Sequence, residues 1–475
     1  MTARRTQVFA SLFVLLLASR LCHSDILWTD GDYHLAAALQ VLHGKALYRD
    51  LWYDKPPLNA LLFAAFGAPT GWMLSVLEAV WVFVACVFAY LAAKTIGGEK
   101  AGLGAAALLA FFLIFYLPAA VIGLAPDLIM LVPHLAAIYF ALSKKPLAAG
   151  LCAGIAFWAN TKALFVLLAC AVIVPNQILP LSAGFLLPAL PALAALELTG
   201  SLHGYIEQVW RWGVRYAANS PQTAPVLTGV THTLNWLGFH AALVLGAALY
   251  WARERSRTAR RLAYWAAISF AGVCLGMRFV PRYYFEFLAP MVVIAALGLF
   301  GEASFKPRWA IPLLTALLLI PGLRFGPRYL QLAWDDVKHQ PHHWSDIALD
   351  QDDRRLAQFI DAGKQSGDTL FVWGYRPGLY VYTGMSSPSV FWDSQPLNGV
   401  PADRHLETST PVAPQDAQRN REIFAKTNPT FVVDALSQFN PALSIQHFPD
   451  LAPWFAQYEP AGGTPLSPIY RLKKH

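Results

Sequence analysis

Apolar runs about as long as a bilayer is thick dominate the first 325 residues and restrict the folds open to this chain. A helix needs roughly 20 residues, with a usual range of about 17–25, to cross the hydrocarbon core. Runs of about this length or slightly less cover 8–24, 73–95, 101–122, 127–143, 147–161, 163–179, 181–197, 232–251, 262–278, 283–301 and 309–324. Only 14% of the 475 residues are charged and 56% are hydrophobic, which is too little charge for a water-soluble surface. The sequence predicts a polytopic α-helical integral membrane protein with about 11 transmembrane helices.

The composition changes after residue 325 to a mixed, turn-rich sequence typical of a water-soluble domain. We therefore expect a membrane domain over 1–325, with outer loops at 25–72 and 198–231, and a soluble α/β domain over 326–475. Helical spacing of apolar residues and β-branched runs between turn residues locate the elements of this second domain. The pattern predicts helices at 352–364 and 414–426 and strands at 370–373, 379–382 and 430–433.

Basic residues in the short loops indicate how the chain is oriented. Lys and Arg accumulate on the cytoplasmic side of membrane proteins, and five clusters agree with one topology: Arg4 and Arg5; Lys94 and Lys100; Lys144 and Lys145; Arg253, Arg255, Arg257, Arg260 and Arg261; Lys306 and Arg308. This predicts a multi-pass protein of the cell inner (plasma) membrane with a cytoplasmic N-terminus and an extracytoplasmic C-terminal domain. A cleaved signal peptide over 1–24 is the alternative to a retained anchor, and it leaves the next loop outside as well. The net charge of +7 is explained by this topology, so we expect no nucleic-acid partner.

A second set of charges lies at the outer membrane boundary, where the orientation rule does not account for them. Charges at such depths are costly unless paired or wet, and they indicate a functional site. This set comprises Asp30, Asp32, Asp54, Lys55, Asp127, Lys162, Arg278 and Arg282.

Each of these charges also has a purely structural interpretation. Arg278 at a helix end can extend to the lipid headgroups, and Arg282 can pair with Glu286 four residues later. Asp127 after a proline can complement a helix dipole, and the first-loop carboxylates can be solvated. The convergence of carboxylates and cations on one face, flanked by Trp and Tyr, favours a site that holds a phosphate and moves a proton.

Glycosyl transfer from a lipid-linked donor fits these residue types. Lys and Arg at headgroup level can hold a lipid phosphate and stabilise the charge on it as it leaves, while a carboxylate takes the proton from the incoming hydroxyl. A polytopic transporter or flippase of a lipid-linked sugar is the main alternative, although transporters place their charges near the bilayer midplane, often in repeated halves. A non-catalytic envelope or glycan-binding subunit is a third.

Several short motifs, in this order along the chain, resemble a known enzyme family. They are Asp30-Gly31-Asp32-Tyr33-His34, Tyr48-Arg49-Asp50, Asp54-Lys55-Pro56-Pro57-Leu58, Ala125-Pro126-Asp127, Thr161-Lys162-Ala163-Leu164 and Arg282-Tyr283-Tyr284. The set resembles the GT-C glycosyltransferases, in the bacterial branch related to protein O-mannosyltransferases and the aminoarabinose transferase of lipid A (glycosyltransferase families 39 and 83).

The resemblance implies catalytic roles for three carboxylates. The Asp that closes the first span is the expected base, which is Asp30 here, and Asp127 takes the second acidic role. Many members have Asp-Glu at the first motif, whereas this chain has Asp30-Gly31, so Asp32 two residues later is an alternative base.

The resemblance also implies a donor and an acceptor. Donor-phosphate binding is assigned to Lys55, Lys162, Arg278 and Arg282, and acceptor binding or orientation to Asp54 and Tyr283. The implied reaction is inverting hexosyl or pentosyl transfer from a polyprenyl-phosphate sugar to an envelope acceptor (lipid A, a glycan, another lipid or a protein), within a membrane-lipid environment.

The resemblance implies that the reaction requires no cofactor. Some members of the family bind a metal, so a divalent ion is compatible with the resemblance. The His-rich segment 338–344 lacks the spacing of a zinc site. We interpret it as a solvated linker and predict no metal site there.

Overall fold

The computed structural model describes residues 3–219, 224–301, 308–340, 342 and 347–473. In chain order the helices are α1 (Ala3–Leu21), α2 (Gly31–Leu42), α3 (Leu58–Ala65), α4 (Gly71–Ile114), α5 (Pro126–Leu142), α6 (Pro146–Ala159), α7 (Ala163–Ile173), α8 (Ile178–Leu186), α9 (Ala189–Leu198), α10 (Leu202–Tyr205), α11 (Trp212–Ala218), α12 (Pro225–Phe239), α13 (Ala241–Arg253), α14 (Arg257–Cys274), α15 (Phe285–Phe300), α16 (Ala310–Lys338), α17 (Ala348–Gly363), α18 (Gly378–Thr383), α19 (Gln395–Asn398), α20 (Pro414–Phe424) and α21 (Ala452–Phe455). The strands are β1 (Leu370–Trp373), β2 (Phe431–Asp434), β3 (Tyr458–Gly463) and β4 (Pro468–Leu472).

The chain divides into two compact units. Unit 1 comprises Met1–Ile26, Thr70–Ala194 and Gln222–His342, and unit 2 comprises Leu27–Pro69, Ala195–Pro221 and His343–His475. The predicted domain boundary at residue 325 falls inside α16, and the division at that point remains a prediction.

Unit 1 is a bundle of apolar helices, and four helical segments of the described chain are long and apolar enough to cross a membrane. These are Gly71–Ile114, Pro175–Leu198, Pro281–Phe300 and Ala310–Lys338; the pair α12 and α13, bent by 85° at a short break, would make a fifth. Gly71–Ile114 consists of two helices joined at a break at Gly98, where φ is 79°. The helices α5, α6 and α7 are apolar but have only 17, 14 and 11 residues, fewer than the roughly 20 that a straight span needs. The count of about 11 transmembrane helices therefore remains a prediction.

Glycines bring some of these helices into direct backbone contact. A Cβ placed on Gly150 of α6 would lie 1.9 Å from the Leu181 carbonyl oxygen of α8, and a Cβ on Gly184 of α8 would lie 2.1 Å from the Leu147 carbonyl oxygen. Small residues at such crossings let apolar helices associate closely where no hydrophobic effect drives them together.

Unit 2 is built on a four-stranded sheet of order β1-β2-β4-β3. β1 and β2 are parallel, with Leu370 opposite Phe431, whereas β4 pairs antiparallel with both β2 and β3. Trp52 and Trp212, from the two segments expected as outer loops, are buried in the same hydrophobic core as Phe371.

The secondary structure of unit 2 contradicts one predicted element and confirms others. The expected strand at 379–382 is wrong, because this segment forms helix α18, which packs against α2 and α17. Pro377 and Gly378 start that helix, and the buried Leu379 and Tyr380 lie on its packed side. The strands predicted at 370–373 and 430–433 are confirmed within one residue, and β3 and β4 were not predicted.

The close contact of α6 and α8 yields a stability prediction. Gly150→Ala should lower the free energy of unfolding by about 1–3 kcal/mol, because the added methyl group would collide with backbone that cannot move aside cheaply. Gly322→Ala in α16 is the matched control, since a Cβ there meets nothing within 4 Å, and it should be neutral or slightly stabilising. Thermal unfolding of the purified protein in detergent measures both, and equal midpoints for the two variants would contradict the packing described.

Candidate functional site

Asp127 is the centre of an ion cluster in unit 1. Pro126 and Asp127 begin α5, and the Asp127 side chain is buried. Its Oδ1 accepts a hydrogen bond of 3.0 Å from Asn160 Nδ2 and lies 3.8 Å from Lys162 Nζ, while its Oδ2 lies 3.8 Å from Arg282 Nε. One carboxylate thus holds two cations from different helix ends.

The Lys162 ammonium is enclosed but retains hydrogen-bonding capacity. Its side chain is 11% exposed, and Nζ lies 3.1 Å from the centroid of the Tyr283 ring, a cation–π contact. Among the described residues, Nζ makes no hydrogen bond. A lysine ammonium has three donors, so this group can donate to an anionic ligand.

The segment that carries both arginines has an unusual backbone. Met277 and Phe279, which flank the buried Arg278, have φ of 51° and 50°, a left-handed region that side chains rarely adopt. Tyr116 Oη donates to the Pro281 carbonyl oxygen at 3.1 Å, which helps to hold the turn. Strained backbone of this kind is concentrated at functional sites.

Glu286 is a further acidic residue of this cluster, and the sequence pattern did not assign it to the site. It is 1% exposed, and neither carboxylate oxygen has a hydrogen-bond partner within the described chain. Lys162 and Asp127 act on it electrostatically, whereas the carboxylate paired with Arg282 is Asp127. An acid inside an apolar run is the sequence signal that could have identified it. Gly272 of α14 makes room for it, since a Cβ there would lie 2.4 Å from Oε2.

Asp30 in unit 2 precedes α2 and has a strained backbone. It has φ 76° and ψ −39°, outside the regions that L residues normally occupy, and its side chain is half-buried. This geometry is consistent with a functional carboxylate.

Asp32 lies in a different environment, a buried acidic cluster of unit 2. It is 7% exposed, it is hydrogen-bonded to the backbone at Tyr33 and Gly378, and its Oδ1 has no partner among the described residues. Burial, followed by the charge of Asp353, raises the pKa of Asp32 well above its usual range. Asp353 in turn lies 2.7 Å from Arg376 Nη2. These surroundings favour the protonated form of Asp32.

Asp54 and Lys55 form an ion pair in unit 2. Lys55 Nζ donates to Asp54 Oδ2 at 2.8 Å, and the two side chains are 35% and 8% exposed. Nζ also lies 5.9 Å from the centroid of the Tyr216 ring. The pair is half-open and flanked by an aromatic face, an arrangement that suits a ligand bearing both charge and hydroxyl groups.

The predicted site residues fall into three groups. Unit 1 brings Asp127, Lys162, Arg282 and Tyr283 into one cluster, with Arg278 four residues before Arg282. Unit 2 holds the pair Asp54 and Lys55, and separately Asp30 and the buried Asp32.

The described residues contain no group of three or more His, Cys, Asp or Glu side chains that could hold a metal ion. In the His-rich segment, His342 lies 3.4 Å from Asp335 Oδ2 and 3.3 Å from Asp336 Oδ1, which is not the solvated arrangement that we expected there. His343 lies outside the described residues.

The fold matches that of solved membrane enzymes. ArnT from Cupriavidus metallidurans bound to undecaprenyl phosphate is similar at a TM-score of 0.61 and 13% identity, over 99% of this chain and 98% of that chain. The apo state of ArnT gives a TM-score of 0.60 and 13% identity, over 98% and 97%. The archaeal oligosaccharyltransferase AglB from Archaeoglobus fulgidus, in complex with an inhibitory peptide and a dolichol-phosphate, gives 0.49 and 12% identity, over 92% and 70%.

No protein-family model matches the sequence, and no curated protein matches it. The predicted GT-C fold is nevertheless confirmed by the likeness to ArnT along nearly the whole of both chains. Together with the apolar helices, it identifies the chain as a multi-pass membrane protein.

The acidic cluster of unit 2 predicts a pH-dependent stability. Burial raises the pKa of Asp353 from 3.8 to about 7, against the opposing effect of Arg376. The folded state thus keeps a proton on Asp353 that the unfolded chain releases. The contribution of Asp353 to the free energy of unfolding is therefore greatest at low pH and declines until the pH passes about 7. Asp353→Asn removes this decline and should raise the thermal midpoint, relative to wild type, more at pH 8 than at pH 5.

The control for that comparison is Asp361→Asn, an exposed carboxylate on the same helix α17. It should shift the midpoint equally at both pH values. An Asp353→Asn variant that does the same would show that Asp353 is not protonated in the folded protein.

Proposed function

We propose that this protein is a glycosyltransferase that moves a sugar from a polyprenyl-monophosphate donor to an envelope acceptor at the outer face of the membrane. The observation that carries the proposal is the enclosed cluster of Lys162 and Arg282 around Asp127, at the ends of apolar helices in a chain with the GT-C fold. ArnT, which shares this fold, has been solved with undecaprenyl phosphate bound. A lipid phosphate is the ligand that combines an apolar tail with the charge that such a cluster attracts.

The cations of unit 1 bind and stabilise the phosphate in this mechanism. Lys162 contributes ammonium donors that no described residue occupies, and Arg278 and Arg282 contribute guanidinium groups. Charge-assisted hydrogen bonds to phosphate are about twice as strong as neutral ones. They strengthen as the bond between the sugar and the phosphate breaks and negative charge grows on the leaving oxygen. Asp127 keeps Lys162 and Arg282 in place until the ligand binds.

Asp30 is the proposed general base. It accepts the proton of the acceptor hydroxyl while that oxygen forms its bond to the anomeric carbon and the phosphate leaves from the opposite side, so the anomeric centre inverts. Asp32 is the alternative base; burial and the charge of Asp353 favour its protonated form, which is the form that does not accept a proton.

The remaining assignments extend the same scheme. Lys55 assists the phosphate, and Asp54 and Tyr283 orient the acceptor, which is lipid A, a glycan, another lipid or a protein. The donor carries a hexose or a pentose. We place the protein in the inner (plasma) membrane, with a cytoplasmic N-terminus and an extracytoplasmic C-terminal domain.

A flippase of a lipid-linked sugar is the second candidate, and one observation favours it. Helices α12 and α13 meet at His240 with a bend of 85°, and discontinuous helices are typical of transporters. Such a protein would need the phosphate-binding cations but not the base.

Transfer of labelled sugar from polyprenyl-phosphate donors in purified membranes separates these functions. Asp30→Asn should lower the transfer rate by about 10²–10⁴-fold, the usual contribution of a general base, while donor binding persists. Lys162→Met should weaken donor binding by roughly tenfold or more, because a charged hydrogen bond is worth about 1.5–3 kcal/mol.

Two exposed residues serve as matched controls. Lys94→Met removes a lysine that pairs with Glu99 at the surface of unit 1, and Asp361→Asn removes a surface carboxylate of unit 2. Both should retain full transfer. Donor lipid that crosses the bilayer without any sugar transfer would contradict the proposal in favour of the flippase, and unaltered transfer by the Lys162 and Asp30 variants would contradict the site.

A further inference from the structure

A loop from the C-terminal part of unit 2 lies directly against the Asp54–Lys55 segment. The Trp52 amide donates to the Val390 carbonyl oxygen at 2.8 Å, and Trp392 Nε1 donates to the Trp52 carbonyl oxygen at 2.7 Å. The Trp392 ring also stacks on Tyr33, with 5.0 Å between centroids. These contacts hold the loop against the segment that leads into Asp54 and Lys55, and the next residue of the loop, Asp393, interacts electrostatically with both.

Asp393 is a buried carboxyl group with one oxygen unused. It is 4% exposed, its Oδ1 accepts a hydrogen bond of 2.9 Å from the Gln395 amide, and its Oδ2 has no partner among the residues that the structure describes. The charged groups that act on it are Asp54 and Lys55. The phenols of Tyr33 and Tyr380 also interact with it electrostatically.

An ionised carboxylate in this position would be unfavourable. A buried charge without sufficient hydrogen bonds is destabilised and takes up a proton instead. Burial first, and then the charge of Asp54, raise the pKa of Asp393 to about 8, so the group is mostly neutral at pH 7. With Asp393 neutral, the net charge of the three groups Asp54, Lys55 and Asp393 is zero, whereas ionisation makes it negative.

Asp54 depends on Lys55 as its partner. The Asp54 side chain is only 8% exposed and accepts the 2.8 Å hydrogen bond from Lys55. If Lys55 turned towards a ligand, Asp54 would be left as a buried charge short of hydrogen bonds, which is strongly destabilising. A neighbouring neutral carboxyl group can replace the lysine, because it has one O–H to donate.

We propose that Asp393 is a positioning residue for Lys55. The neutral Asp393 donates its Oδ2 proton to Asp54 as a hydrogen bond, and this allows the Lys55 ammonium to leave Asp54 and bind a phosphate oxygen of the polyprenyl donor. The inference rests on the proposed function, and it gives the C-terminal part of the chain a part in ligand binding that acts through Lys55. When Asp393 is ionised, Asp54 retains Lys55 and the extra negative charge repels the phosphate.

The affinity of the full-length protein for undecaprenyl phosphate at pH 7 and pH 9 tests this role. Binding that requires one neutral group of pKa about 8 should weaken roughly tenfold between these pH values. The ligand does not contribute, because a phosphate monoester with a second pKa near 6 is a dianion at both. In Asp393→Asn, whose amide remains neutral and can donate to Asp54, the change should fall below about twofold.

Two further variants complete the experiment. Asp353→Asn removes another buried carboxyl group of unit 2 whose pKa is raised, but it lies outside the Asp54–Lys55 pair, so the tenfold change should persist. Asp393→Ser is neutral as well and should be as flat as Asp393→Asn, which keeps the test decisive if the amide variant does not fold.

Each outcome has one meaning. A wild-type affinity equal at both pH values, or a tenfold change that survives in both Asp393 variants, overturns the role of Asp393 and leaves the proposed function standing. Failure of the wild type to bind undecaprenyl phosphate at either pH overturns the proposed donor class, and the role of Asp393 with it.

Discussion

Charge in an apolar surrounding is the constraint on which the rest of this structure depends. Two groups of charges within the described helices of unit 1 are paired: Arg20 Nη1 lies 2.9 Å from Glu78, and Asp127 holds Lys162 and Arg282. The two cases differ in a way that separates structure from function. The first is a single closed pair with an additional hydrogen bond from Arg20 to the Ile122 carbonyl oxygen. In the second case two cations, Lys162 and Arg282, share the single carboxylate of Asp127. The Lys162 ammonium also has hydrogen-bond donors that no described residue accepts.

Buried carboxyl groups in unit 2 are subject to the same constraint, but here burial favours the neutral form of an acid. Asp353 and Asp393 both have raised pKa values because burial outweighs their cationic neighbours. The first has Arg376 within 2.7 Å and links helix α17 to the start of α18, which is a structural arrangement. The second lies beside a half-open ion pair, where the release of a lysine changes what can bind. Both carboxyl groups are buried, so burial does not distinguish their roles. Their cationic partners differ, because Arg376 beside Asp353 is buried whereas Lys55 is partly exposed.

The sequence predicted most of the helices and two of the strands, because their patterns are local. Apolar runs, Pro at helix starts and β-branched segments report on the backbone nearby. The segment 379–382 was predicted as a strand from its aromatic and β-branched residues, but Pro377 begins a short helix there that packs against α2 and α17. Hydropathy alone does not fix the number of spans, because an apolar run such as 163–179 contains the shorter helix α7 in the structure.

The candidate site was predictable to the extent that its charges interrupt apolar runs. Asp127, Lys162 and Arg282 stand out in that way, and the structure places them together. The environment of Asp32 was not predictable in this way, because the charged residue that raises its pKa most after burial, Asp353, is more than 300 positions away in the chain. Asp393 carries no local signal at all, since its environment is created by contacts with the first outer segment.

A structure of the protein in lipid nanodiscs with undecaprenyl phosphate, determined by electron cryomicroscopy, tests the central claim most directly. The account predicts phosphate density in contact with Lys162 and Arg282, at about 2.7–2.9 Å between nitrogen and oxygen, with the isoprenoid tail among the apolar helices of unit 1. Phosphate density elsewhere, with Lys162 and Arg282 still paired to Asp127, would contradict it.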